Sequence, residues 1–154
     1  MRKVYLAVVT GVSLPGRSGV IDVPLARYRP KPELELMRAA RPGDEAAQAA
    51  VTRWRAIASS GSTHLLQVEP ETGRMHQIRA HLSLSGLPIV GDPYYGGAAT
   101  VSGIAAPRMM LHAEKLAGPH PSGGRFTLFA RAPEDFMAFA PAATADMALG
   151  PKAN

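Results

Sequence analysis

Residues 71–97 read ETGRMHQIRAHLSLSGLPIVGDPYYGG: two arginines, two histidines and a glutamine at helical spacing, then a Gly/Pro/Asp/Tyr turn cluster. Thr72 is a good N-cap for a helix over residues 74–85. Gly86 supplies the left-handed residue that ends it, and Pro88 prevents its continuation. Ile78 and Leu82, four apart, with Met75 three before Ile78, make an apolar stripe that must face a core. His76, Arg79 and Ser83 fall on a second face, and Arg74, Gln77 and His81 on a third. Two polar faces of different chemistry predict one turned to a site and one to a partner. No acid stands between Glu71 and Asp92. Two arginines without a counterion on their own helix call for an outside anion, a carboxylate or a phosphate.

Working outward, residues 50–58 (AVTRWRAIA) and 63–69 (THLLQVE) flank a Ser/Gly cluster and predict a β-hairpin. Its first strand puts Val51, Arg53 and Arg55 on one face and Thr52, Trp54 and Ala56 on the other. Residues 4–9 are β-branched and aromatic and read as a buried strand, and residues 20–24 as a short edge strand stopped by Pro24. Residues 27–43 carry three prolines and seven charged side chains, which predicts an exposed, irregular connection. Downstream, residues 109–116 and 125–130 read as strands and 133–140 as a short helix. Residues 141–154 have the composition of a disordered tail. With no internal repeat or composition shift, the expectation is one domain over residues 1–140.

The balance of 17 Lys and Arg against 12 Asp and Glu gives a net charge of +5, which favours a polyanionic partner such as nucleic acid. The chain has no cysteine, which removes disulfides and thiolate metal sites. The opening MRKVYLAVVTG has the charge of a signal peptide, but Thr10 and Gly11 break its apolar run. It reads as a strand of a cytoplasmic protein, and no run approaches membrane-spanning length. His76, His81 and His112 do not make a metal site, because an i, i+5 pair does not share a helix face and no acid follows at ligand spacing. GDPYYGG lacks the glycine order of nucleotide-phosphate loops. On residue type alone, Tyr5 reads as a core aromatic, and Arg79 equally well as a structural ion-pair partner.

The residues TGRMHQIRAHLSLSGLPIVGDPYYGG resemble the signature of the RluA-type pseudouridine synthases, TGR, any residue, HQIR, then a GxPIxGDxxYG turn. KVYLAVVTG at residues 3–11 is similar to that family's KxYxAxVxG strand, VIDVPL to its next segment, AVT at residues 50–52 to its AxT strand, and RMMLHAEKL to its RLxLHA strand. The resemblance implies an α+β fold: a mixed, mostly antiparallel sheet with flanking helices. It also implies cofactor-free conversion of uridine to pseudouridine in structured RNA, rRNA or tRNA. In such a reaction an aspartate acts as nucleophile while the flipped base is held by an aromatic ring. By resemblance Tyr5 is the stacking tyrosine, and Arg79 the basic residue that pairs with the catalytic aspartate. Lys3, Arg74, His76 and Gln77 surround the site, holding the loop or the RNA backbone.

The chain departs from the family at one point. The HRLDxxTSG motif that carries the family's aspartate stands upstream of the KxY strand, and it is not in this sequence. The aspartates present are Asp22, Asp44, Asp92, Asp135 and Asp146, and Asp92 reads as a turn residue bonding backbone. The expectation is therefore the C-terminal part of a synthase catalytic domain, incomplete, unable to isomerise uridine alone, with Arg79 awaiting an aspartate from elsewhere. The alternatives are a non-catalytic RNA-binding protein and a half-enzyme completed in trans. An incomplete sheet predicts an exposed edge, and with it a homodimer, strand exchange or marginal stability.

Overall fold

Alternation of side chains sets the register of the central hairpin. In the computed structural model, which describes residues 1–142, β5 (Val51–Ser60) and β6 (Thr63–Pro70) pair antiparallel around a turn at Gly61, whose φ is +56°. Thr52 and Trp54 are buried, as the alternation predicts, and Arg53 and Arg55 are exposed. On that outer face Arg53 pairs with Glu71, Arg55 with Gln67, and Arg2 with Glu69.

β1 (Arg2–Thr10) lies between β6 and β9 (Leu111–Pro119) and is the most apolar strand, with Val4 and Leu6 to Val9 all buried. β10 (Arg125–Phe129) and β2 (Ser18–Asp22) close the two edges, so the sheet order is β10-β9-β1-β6-β5-β2. The pairings among these described strands are all antiparallel. α1 (Gln77–Leu84) covers the face carrying Tyr5, Val68 and Trp54, setting Ile78 and Leu82 into the core with Leu87 and Ile89. Each such fully buried side chain contributes about 1.5–3 kcal/mol. On the opposite face, α2 (Glu134–Met137) inserts Phe136 beside His112, the cross-strand partner of Leu6. The fold is α+β, as the sequence implies.

Residues 27–43 are not irregular. β3 (Leu25–Lys31) and β4 (Leu34–Ala39) form a hairpin over a second, smaller core of Leu25, Leu36, Met37, Ala50, Ala80 and Tyr95. Two physical facts reconcile this with the prolines and charges. Pro30 sits where the register shifts between Tyr28 and Lys31, so it interrupts no regular ladder bond. Four of the seven charges are also paired: Arg27 and Arg29 share Glu35, and Arg38 holds Asp44 with two bonds of 2.7 and 2.9 Å.

The main helix begins at Gln77, three residues later than its spacing predicts, because His76 takes a left-handed backbone, φ 50° and ψ 20°. Thr72 does not cap it, its hydroxyl being engaged elsewhere. Gly86 does take the expected positive φ, +73°. β9 begins two residues later than expected, since Met110 is bonded instead to Val8 and Val90, and α2 spans four residues. A small hairpin, β7 (Thr100–Val101) with β8 (Ile104–Ala105), lies in the loop that follows the turn cluster. No described helix is long and apolar enough to cross a membrane. Residues 143–154, most of the expected disordered tail and including Asp146, lie outside the described residues.

Candidate functional site

The loop of residues 70–76 is held by one side chain. Gln77 is 3% exposed and uses its amide completely. Its carbonyl oxygen accepts from the Thr72 hydroxyl at 2.7 Å and the Arg74 amide at 3.0 Å, and its NH₂ donates to the Val51 carbonyl and the Thr52 hydroxyl. Thr52 passes the chain on to His81 Nδ1 at 2.8 Å, and His81 Nε2–H ends on the Val23 carbonyl at 2.9 Å. Burial pushes the His81 pKa down, against a smaller upward pull from that carbonyl. The third face of the helix is therefore internal, not the partner surface its polarity predicts. Of the two roles expected for Gln77, it fills the loop-holding one, and it has no bonding capacity left for RNA.

With the loop so fixed, β1 and the start of α1 enclose a cleft of about 220 Å³. Lys3 and Tyr5 line it from the strand. Thr72, Gly73, Arg74, His76, Gln77, Ile78 and Arg79 line it from the loop and helix, with Leu111 from β9. The six residues singled out in the sequence, Lys3, Tyr5, Arg74, His76, Gln77 and Arg79, thus meet in one place. Among the described residues no carboxylate lines the cleft, while Lys3, Arg74 and Arg79 bring positive charge to it. Arg74 anchors its own side chain by donating Nε–H to the Ala49 carbonyl at 3.0 Å. A second trough of about 250 Å³, lined by Ala113, Glu114, Leu116, Leu128 and Phe129, continues past Lys3 and Tyr5 toward the β10 edge. Tyr5 stands half-buried between the two hollows, one part of it packed against the main core.

Arg79 does not lack a counterion. Its Nε and Nη2 donate to the two carboxylate oxygens of Asp92 at 2.8 and 2.9 Å, and the carboxylate side chain is fully buried. Asp92 also accepts from the amides of Tyr94 and Tyr95, which is the expected turn role. Burial alone would push its carboxyl up, but the bonds from Arg79 and the two amides outweigh that and hold it below the usual carboxylate range. The same bonds raise the Arg79 pKa. The helix charge expected to await an outside aspartate is met by the chain's own turn, which brings Asp92 back over the helix. Arg79 keeps Nη1 free of hydrogen bonds to the described residues and lies over the Tyr95 ring at 4.8 Å.

Tyr95 is the residue the sequence did not single out. Its hydroxyl accepts the Met37 amide at 2.9 Å and lies 3.1 Å from His76 Nδ1. It ties the β3–β4 hairpin to the cleft, and its signal was the last tyrosine of GDPYYG, quoted only as part of a turn. Burial, then the charge of Arg79, lowers the His76 pKa, with Asp92 pulling weakly the other way. The remaining histidines bond backbone or serine: His112 the Ala130 carbonyl, His64 Ser59 and the Gly11 carbonyl, His120 Ser122. Among the described residues, no group of three His, Asp or Glu side chains is placed to hold a metal ion.

Comparison with known proteins matches these elements. The profile of the family described as RNA pseudouridylate synthase matches residues 1–84, more than half of the chain. An uncharacterized RNA pseudouridine synthase of Chloroflexus aurantiacus is 42% identical over 129 residues, covering 84% of this chain and 38% of that protein. Ribosomal large subunit pseudouridine synthase D of Pseudomonas aeruginosa is 35% identical over 146 residues, covering 88% and 43%. Among solved structures, human RNA pseudouridylate synthase domain containing 4 superimposes with a TM-score of 0.69 at 27% identity, covering 88% of this chain and 59% of that one. The chain spans less than half the length of the two curated relatives. Sequence profile, relatives and fold agree on one assignment: the chain belongs to the RNA pseudouridylate synthase family.

Proposed function

We propose that this chain supplies the base-stacking and RNA-holding half of a pseudouridine synthase site, acting on uridine in structured RNA, rRNA or tRNA. The observation that carries the reading is the cleft itself: Tyr5 and Arg79, far apart in sequence, line one cavity with Lys3, Arg74 and His76 and, among the described residues, with no carboxylate. An acid-free cationic hollow beside an accessible aromatic ring suits a flipped base and its phosphates. In the reaction that the family resemblance implies, the glycosidic bond to N1 breaks, the base turns, and C5 joins the ribose. The C5 proton is released to water, N1 takes one up in its place, and no cofactor is needed.

The carboxylate that attacks is not Asp92, which is buried and already accepts four hydrogen bonds. No described aspartate lines the cleft, so in this reading the nucleophile comes from outside residues 1–142, and Nη1 is the donor that Arg79 has open to it. Purified chain should bind uridine-containing RNA with strong salt dependence and release no tritium from [5-³H]uridine RNA. Release by the chain alone, lost in Arg79→Ala, would refute the missing-nucleophile reading, and the absence of salt-dependent binding would refute the RNA reading. The half-enzyme completed in trans is the variant in which a separate polypeptide restores that release. A homodimer or exchanged strand would form at the β10 edge, where Leu128 and Phe129 are exposed, and light scattering tests it. In this reading the protein acts in the cytoplasm, one of the compartments that hold rRNA and tRNA.

A further inference from the structure

The hydrogen-bond order around Tyr95 assigns a chemical form to His76. The Met37 amide donates to the phenol oxygen at 2.9 Å, and Tyr95 is 8% exposed. The phenol's own proton then has one acceptor within reach among the described residues, His76 Nδ1 at 3.1 Å. Were Nδ1 protonated, that hydroxyl proton would be buried without an acceptor, at a cost of about 1–3 kcal/mol. With Nδ1 accepting, a neutral imidazole carries its hydrogen on Nε2. The ring stands edge-on to Tyr95, centroids 5.7 Å apart at 87°, and His76 lines the cleft. The left-handed backbone at His76 is what turns this side chain away from the helix axis and into the hollow.

We infer that Tyr95 is a positioning residue that fixes His76 as the neutral Nε2–H tautomer, so that His76 offers a hydrogen-bond donor to a carbonyl oxygen of the uracil in the cleft. The ligand half of this statement rests on the RNA reading above. Lys3 and Arg74 line the same cleft and provide the charged partners that phosphates take, which leaves a neutral N–H for a neutral acceptor. The charged groups facing the imidazole agree: Arg79 opposes its protonation and Asp92, engaged by Arg79, favours it only weakly. The cation lying over the Tyr95 ring holds the phenol in place for both contacts.

Long-range ¹H–¹⁵N NMR of the imidazoles in the free chain at pH 7 reads the tautomer directly. The expected result is the Nε2–H form at His76; the Nδ1–H form or an imidazolium overturns the assignment. In Tyr95→Phe, which keeps both ring contacts, His76 should become a mixture of tautomers, and an unchanged His76 spectrum removes the positioning role. A short single-stranded RNA with one uridine should shift His76 Nε2, whereas the same RNA abasic at that nucleotide should not. Equal shifts with both assign a phosphate and overturn the uracil contact. Shifts at Tyr5 and Arg79 without His76 refute this proposal and leave the RNA reading standing. No shift at any residue of the cleft refutes both.

Discussion

Arg79 and Asp92, one on α1 and one in the turn that follows it, form a two-bond ion pair whose acid is fully buried and whose base is 13% exposed. Such a pair is costly to break from one side, since the partner is left charged in a low-dielectric setting. Arg79→Ala should lower stability by about 3–5 kcal/mol, and Asp92→Asn by a comparable amount. The double variant should lose less than the sum of the two. Urea unfolding of all four proteins measures the coupling; strict additivity would mean the pair is not formed in solution.

The turn is shaped by close backbone approach. A Cβ at Gly97 would overlap the Ile89 carbonyl and crowd Asp92, and one at Gly91, already at φ +77°, would overlap the Arg108 carbonyl. Gly97→Ala should cost at least about 3 kcal/mol, as strain and broken hydrogen bonds add. A Cβ at Gly73 comes no closer than 4.0 Å to any atom, the Lys3 Nζ, so Gly73→Ala should change thermal stability little. Differential scanning calorimetry separates the two; equal losses would argue against the turn geometry.

Buried histidines set the acid side of the stability curve. The folded-state pKa values of His81 and His76 lie below the ordinary value, both through burial. The unfolded chain therefore binds these protons more readily. The stability they allow is complete above about pH 6.5, and it is lost as pH falls through the folded values. Carboxylates add a second loss further down: the Arg38 bond and the Arg41 amide hold Asp44 at about 2. Urea midpoints should be level from pH 8 to 7 and fall from about 6.5 toward 5; a rise over that interval would contradict the burial of His81.

RNA affinity should divide into charge and stacking. Lys3→Ala or Arg74→Ala should lower the salt dependence of binding, by about 0.7 in the log–log slope for each phosphate that is no longer neutralised. Tyr5→Leu should keep that slope and weaken binding by about 1–3 kcal/mol, because the base no longer stacks on a ring. Filter binding over a salt series distinguishes them. A Tyr5 variant whose deficit disappears at high salt would place the ring away from the bound base.

The motif from Thr72 to Gly97 declared the helix, its end and the cleft, because apolar spacing and turn glycines act locally. The hairpin of Leu25–Lys31 and Leu34–Ala39 did not announce itself. Its charges pair with Glu35 across the strands and with Asp44 in the turn that follows, and a run of prolines and arginines does not show which partner each will meet. The same limit hid Tyr95 and turned Arg79 into an orphan: the acid that satisfies it follows a turn, and only folding returns that turn to the helix. Gln77 and His81 looked like surface polarity because a buried network and a solvated face share one composition.

The placement of β1 has a temporal consequence. This strand precedes the other described strands yet pairs with β6 on one side and β9 on the other, so its hydrogen-bonding partners are made long after it is. Loop closure over such distances is slow. On the ribosome, Lys3 and Tyr5 can meet Arg79 once β6 and α1 have emerged, but Leu111 and the wall from β9 follow only later. Until β9 is made, this strongly apolar strand has one edge open, which makes β1 a segment where chaperone engagement during synthesis would matter.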